Sequence, residues 1–353
     1  MFFASNKDSK LTGLLRGIVA AGVFFGSATT VRAHCPTFGG GIGIAGPVTT
    51  FSAATLPAGK AAVGLRVEIS EFGTLPSADL DQAAMDGKTA HSMREQQFYS
   101  VGGAYGVTDD LTVGASLPYV LRDGIQAVHF DPAMQMSMRH DIGRSDGLGD
   151  LTLFGEYRLV RRLYEGFELS LIGGLKAPTG ATGNSSAGAT IATLHQPGSG
   201  SWDPLGGIAL SQQLDRLSLH ATGLYVLATR GAQATNLGDR AQGTLAGAYR
   251  FGGKDNYGDC DEVYEYFYPE SRQRWLGDLV LELNANWQDK ETVAGRRDDS
   301  SGGVTLFLSP GGRLTYDGKY SASVSVGVPV YQDLNGSQSK TDYRVIASVA
   351  VAF

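Results

Sequence analysis

The chain has 353 residues, 42% hydrophobic and 18% charged, with a formal net charge of -6 and 49 glycines, about twice the usual share of roughly 7%. The absence of a Gly-X-Y period excludes a collagen-like fibre, and the apolar and aromatic content excludes a disordered chain. The only uninterrupted apolar stretch lies near the N-terminus, which excludes a polytopic helical membrane protein, and the acidic balance leaves no basic footprint for nucleic acid.

Residues 1–33 come first. Lys7, Lys10 and Arg16 precede an apolar core over Gly17–Phe25, and Val31-Arg32-Ala33 follows a short stretch of small, polar residues. This is the pattern of a signal peptide cut after Ala33, with a core about half the length that a membrane-spanning helix needs. Residues 34–60 are expected to form an N-terminal periplasmic segment, and 61–353 the folded body. Export reaches an oxidising compartment, so the only two cysteines, Cys35 and Cys260, are expected to pair in a disulfide, to remain free thiols, or to serve a metal or partner together with His34.

From residue 61 onward the dominant pattern is alternation at period two, the mark of strands with one apolar and one polar face. Such stretches occur at 61–73, 96–107, 110–121, 149–160, 167–177, 203–213, 216–228, 240–251, 275–287, 302–309, 319–330 and 342–353. Over Leu276–Trp287, for example, Leu279, Leu281, Leu283 and Trp287 oppose Asp278, Glu282 and Asn284. The even count suits a single-chain bacterial barrel with both ends in the periplasm. Thr108-Asp109, 161–166, Asp215 and Pro310–Arg313 read as short periplasmic turns, whereas 74–95, 122–148 and 178–202 read as long extracellular loops. Only the connection 252–274 is long on the periplasmic side. The predicted fold is therefore all-β, an antiparallel transmembrane β-barrel of about 12 strands, embedded in the lipid of the Gram-negative outer membrane.

In hydrocarbon every backbone N–H and C=O must be paired within the protein, so a sheet can cross only if it closes on itself. Tyr99, Tyr119, Tyr225, Tyr249 and Trp287 sit near predicted strand ends, as interfacial girdles require. A charge on the lipid face would cost about 2–4 kcal/mol at the midplane, so Arg66, Glu68, Glu156, Arg158, Asp278, Glu282 and Arg344 must face the lumen. There they are expected either to line a pore or to pair across strands and fill it.

Towards the C-terminus, Tyr343, Val345, Ala347, Val349, Val351 and Phe353 share one face, and a terminal strand ending on an aromatic resembles the signal read by the barrel assembly machinery. Three further motifs carry a wider resemblance. They are Gly147-Leu148-Gly149-Asp150-Leu151 with Phe154-Gly155-Glu156-Tyr157-Arg158-Leu159, then Gly174-Leu175-Lys176-Ala177-Pro178-Thr179-Gly180, then Gln196-Pro197-Gly198-Ser199-Gly200-Ser201-Trp202-Asp203. In this order they resemble the outer-membrane family labelled as phenol meta-pathway (MetA-pathway) transporters, over roughly 95–253 and on through the terminal strand. The resemblance implies an outer-membrane barrel for passive uptake of small molecules. The phenol label is not carried over to this chain.

Apart from the initiator, the methionines are Met85, Met93, Met134, Met136 and Met138, all in the first two predicted long loops. Met134, Met136 and Met138 with His140 offer soft ligands suited to Cu(I), or else pack apolar gaps in a loop. No histidine precedes the serines of Asn184-Ser185-Ser186-Ala187-Gly188 in a phospholipase-like pattern, and the Gly39–Gly43 stretch lacks the helix and Lys-Ser/Thr pair of a phosphate cradle. No catalytic residue and no cofactor is assigned. The expected function is a channel for small solutes, including aromatic or other hydrophobic ones. The alternatives are a copper-type metal-binding protein and a structural or adhesive barrel.

Overall fold

A computed structural model describes residues 47–86, 89–131, 136–162, 165–251 and 275–353. The signal segment, Cys35, Cys260, the connection 252–274 and Met134 lie outside the described residues, as do the side chains of Met136 and Met138.

Twelve strands build the wall: β1 (Ala61–Phe72), β2 (Glu95–Thr108), β3 (Leu111–Asp131), β4 (Leu151–Arg162), β5 (Phe167–Ala177) and β6 (Asp203–Leu214). They are followed by β7 (Leu217–Val226), β8 (Arg240–Phe251), β9 (Trp275–Gln288), β10 (Gly303–Tyr316), β11 (Tyr320–Leu334) and β12 (Thr341–Ala352). Each pairs antiparallel with its chain neighbours, and β12 returns to β1 in a ladder from Ala62 opposite Ala352 to Phe72 opposite Thr341. The sheet is a closed antiparallel β-barrel with no free edge, which is how a sheet satisfies its backbone without water.

The pleat sorts the two faces. Along β9, Leu279, Leu281 and Trp287 are exposed outside, while Asp278, Glu282 and Asn284 are buried inside. Trp275 and Trp287 bracket this outer face. Their spacing is roughly 40 Å along the strand, and a tilt of about 40° brings it to about 30 Å across a bilayer, enough to flank an apolar band of about 25 Å. No helix among the described residues is long and apolar enough to cross a membrane.

The connections differ from their sequence reading in three places. First, Pro310–Arg313 is not a turn but the middle of β10, and the chain reverses at Asp317-Gly318, both with positive φ, where the Lys319 N–H donates to the Tyr316 carbonyl. Asp-Gly is the chemistry of a type I′ hairpin, and Pro310 is tolerated because the β10–β11 ladder skips from Leu308 to Gly311. Second, β3 continues to Asp131 and pairs with a returning strand, Met136–Leu148, so the second long loop is an extended hairpin. Third, the first loop contains a helix, Ser77–Met85, which the dominance of alternation hid. Its Leu80, Ala83 and Ala84 pack with Ala90 and with Val128 of the hairpin into a small core.

Candidate functional site

The lumen is lined by small hydroxyl side chains and by charge. Its principal occupant is the chain itself. The described part of the expected periplasmic segment, residues 47–57, runs inside the barrel as a strap, and Thr50, Ser52, Ala53, Ala54 and Leu56 are buried there. Strand alternation says nothing about a non-repetitive segment, so only the inward-facing acceptors and donors of the wall reveal its place.

These wall groups hold the strap step by step. The Leu56 N–H donates to Thr112 Oγ1 on β3 at 2.7 Å, and the Ser170 hydroxyl on β5 donates to the Ala53 carbonyl. The Ala53 N–H donates to Ser211 Oγ on β6 at 2.9 Å, and Thr222 Oγ1 on β7 donates to the Phe51 carbonyl at 2.9 Å. At β9, Glu282 accepts from the Thr49 N–H at 2.9 Å, the Thr50 N–H at 3.1 Å and the Thr50 hydroxyl at 3.0 Å. Arg66 on β1 donates to the Val48 carbonyl at 3.1 Å. The strap thus follows the inner wall from β3 round to β1.

Two glycines make room for it. A Cβ on Gly106 would lie 2.1 Å from the Pro57 carbonyl oxygen, and one on Gly114 would lie 2.5 Å from Phe154 Cζ. Phe154 in turn meets Phe51 of the strap edge to face at 6.1 Å, and Leu56 and Ala53 pack among wall residues such as Ala104 and Ile172, apolar contacts in a polar bore.

The seven sequence-selected charged residues lie on inward positions, and mutual pairing is not uniform among them. Arg66 pairs with Glu68 at 3.2 Å, and Arg344 approaches Glu68 at 3.7 Å. Asp278 is clamped between Arg250 and Arg313, each at 2.7 Å. Arg158 does not pair with Glu156; it pairs with Asp110 and Glu168, each at 3.0 Å. Glu156 is buried with Oε1 lacking a hydrogen-bond partner. Arg250, Arg313 and His220 were not selected from sequence. His220 Nδ1 lies 2.8 Å from Ser211 Oγ, which ties it to the strap.

The three motifs of the resemblance converge on one ion cluster at the loop end of the barrel. Lys176 Nζ lies 3.0 Å from Asp150 and 2.7 Å from Asp203. Asp150 also accepts from the Gly180 N–H at 2.9 Å, the Ser199 N–H at 2.8 Å and the Ser199 hydroxyl at 2.6 Å. Burial pushes its carboxyl up, but these donors and Lys176 outweigh burial and hold it below its usual value. Gly180 and Gly198 meet backbone to backbone, where a Cβ on either would lie within 2.6 Å of the other. The cluster is a clasp that holds the third long loop against the ends of β4, β5 and β6.

At the same end, histidines gather. His91 lies on the short strand Ala90–Ser92, which pairs with β3 and with Ser337–Gln338. His91, Glu291 and Asp298 each offer an atom within 4.8 Å of the others, and the His195 ring lies edge-on to His91 at 5.2 Å between centres. His195 is pushed well below its usual value by burial, with the His91 and Arg122 charges adding to it. Burial pushes the Asp298 carboxyl up, but His91, the Thr89 hydroxyl and the Ser300 N–H outweigh it and hold it at about 2. His140 is exposed on the hairpin and does not belong to this group.

No family model and no curated protein matches the sequence. Among solved structures, the fold is similar to that of the beta domain of the Bordetella autotransporter BrkA, with 10% identity, 84% of this chain and 100% of that chain covered, and a TM-score of 0.44. It is more similar to the COG4313 outer membrane channel from Pseudomonas putida F1, at 15% identity over 85% of this chain and 98% of that chain, with a TM-score of 0.55.

Proposed function

We propose that the chain is an outer-membrane channel for the passive passage of small solutes, and that the strap 47–57 sets its bore. The observation that carries the reading is a closed barrel with an apolar outside and a polar inside, in which, among the described residues, the segment 47–57 lies in the lumen and is held by hydrogen bonds to wall side chains. Neutral bonds of this kind contribute about 1 kcal/mol each net and those to Glu282 and Arg66 about 1.5–3 kcal/mol, and they lie outside the strand ladders, so the strap can be displaced without breaking the wall. The likeness to the COG4313 channel supports the fold and leaves the solute open. The Phe51–Phe154 contact offers apolar surface beside the polar bore and favours solutes with an aromatic or other apolar part. In this reading Arg66, Glu68, Glu156, Arg158, Asp278, Glu282 and Arg344 line the pore and set its electrostatics. The terminal strand with Phe353 engages the assembly machinery.

The test is reconstitution. Folded protein in liposomes should admit small phenols and sugars at a measurable swelling rate, and a chain whose signal segment is joined directly to residue 58 should admit them faster. If both forms insert as heat-modifiable barrels and neither passes any solute, the channel reading fails.

A further inference from the structure

His91, Glu291 and Asp298 come from two connections far apart in sequence, and His195 from a third. Their ligand chemistry is one imidazole and two carboxylates within 4.8 Å of one another, with a second imidazole against the first. Among the described residues, no lysine or arginine pairs with either carboxylate. The neighbouring cations are engaged elsewhere, Lys290 with Asp299 and Arg297 with Asp289. Glu291 is buried, so two acids sit together with only His91 facing Asp298, at 3.9 Å. Two ring nitrogens, His91 Nδ1 and His195 Nε2, are buried without a hydrogen-bond partner. Buried nitrogens without a partner, beside two carboxylates with no lysine or arginine to balance them, are costly unless something bonds both.

We propose that His91, Glu291 and Asp298, with His195 as fourth ligand, form a site for a divalent transition-metal ion of the zinc type that fastens three loops together at the loop end of the barrel. Nitrogen and oxygen donors select borderline first-row ions, in contrast to Cu(I), which takes thioethers, and to Ca²⁺ or Mg²⁺, which take oxygen. The geometry agrees. Bonds of about 2.0–2.1 Å to two imidazoles at a tetrahedral angle put ring centres roughly 5 Å apart, and bonds to nitrogen and oxygen put ligand atoms roughly 3.3 Å apart. The ring spacing of 5.2 Å is met, whereas the ligand atoms of His91, Glu291 and Asp298, within 4.8 Å of one another, draw together by up to about 1.5 Å on binding, and His195, which lies outside that group, turns its Nε2 towards them. Thr89, whose hydroxyl donates to Asp298 Oδ1 at 2.6 Å, and the Ser300 N–H, at 2.8 Å, orient the carboxylate from behind.

Full-length mature protein, folded in detergent, is titrated with Co²⁺ and then with Zn²⁺. The expected result is one ion per chain, with the visible absorption of four-coordinate cobalt, bleached by zinc. His91→Ala and Asp298→Asn should each weaken binding at least tenfold, His195→Phe should weaken it by about tenfold, and Met136→Ile/Met138→Ile should bind as the parent does. Absence of bound ion overturns the proposal, as does binding that His91→Ala and Asp298→Asn leave unchanged. Should those variants fail the heat-modifiable barrel assay, hydrogen exchange of the parent decides. Zn²⁺ should protect residues 89–92 and 290–300 more than tenfold, and unchanged exchange there overturns the proposal.

Discussion

Glu282 concentrates the attachment of the strap, because one carboxylate receives two backbone N–H groups and a hydroxyl. Glu282→Ala leaves these three donors without their acceptor in a buried site, at about 2 kcal/mol or more in all. Hydrogen exchange of residues 48–54 should quicken and single-channel conductance should rise; Glu282→Gln, which keeps an acceptor, should fall between. Gly106→Ala acts from the other side. Its Cβ would collide with the Pro57 backbone, so the strap must move, and conductance should rise without loss of the barrel. That Glu282 faces inward was legible in the alternation of β9. That it holds a strap was not, because Thr49 and Thr50 lie 233 and 232 residues away in the chain.

The third long loop illustrates how an element is held. Its clasp joins Asp150 before β4, Lys176 on β5 and Asp203 on β6. Asp150→Asn removes the charge facing Lys176 and should loosen the loop by about 2 kcal/mol, measured as faster proteolytic nicking within 180–198. The clasp also depends on pH. The folded Asp150 carboxyl lies below its free value of 3.8, so its contribution is complete above that value and is lost as pH falls through the lower, folded one. Nicking should therefore be slow at about pH 5 and quicken as pH falls below 3.8. The three motifs were visible as sequence, but their common role was not, since it depends on strand neighbours brought together by register. The misplaced turn has a similar origin. Pro310 and the glycines after it read as turn residues, while Asp317-Gly318 carried the stronger hairpin signal, and the gap in the β10–β11 ladder is a property of the folded pair.

Closure governs the whole molecule. Every wall strand has two partners, so the barrel has no edge to fray, and its outer face is free to be apolar. Leu281 is 53% exposed on that face, in the middle of β9. Leu281→Arg should destabilise the barrel in bilayers by about 2–4 kcal/mol, read as a lower folded fraction by heat-modifiable migration, whereas on a face bathed in water it would cost little. The aromatic pairs near the short-turn end, such as Trp275 with Tyr316 at 4.7 Å, complete one girdle, and Lys319 approaches Phe353 beside the closing seam.

Twelve strands, their faces and the even count follow from period-two alternation, because a pleated strand in a closed wall imposes that period on its own residues whatever surrounds it. The inward direction of Arg66, Asp278 and Arg344 follows for the same reason. The strap, the clasp and the histidine–carboxylate group were decided only by the tertiary structure. Each joins residues far apart in the chain, at least one of them from a segment without strand period, and their meeting depends on which strands are neighbours and at what height. Glycine shows both sides. Its abundance in the strands signalled a wall under tight steric demand, but only the folded barrel shows that Gly114 makes way for Phe154 and Gly106 for the strap.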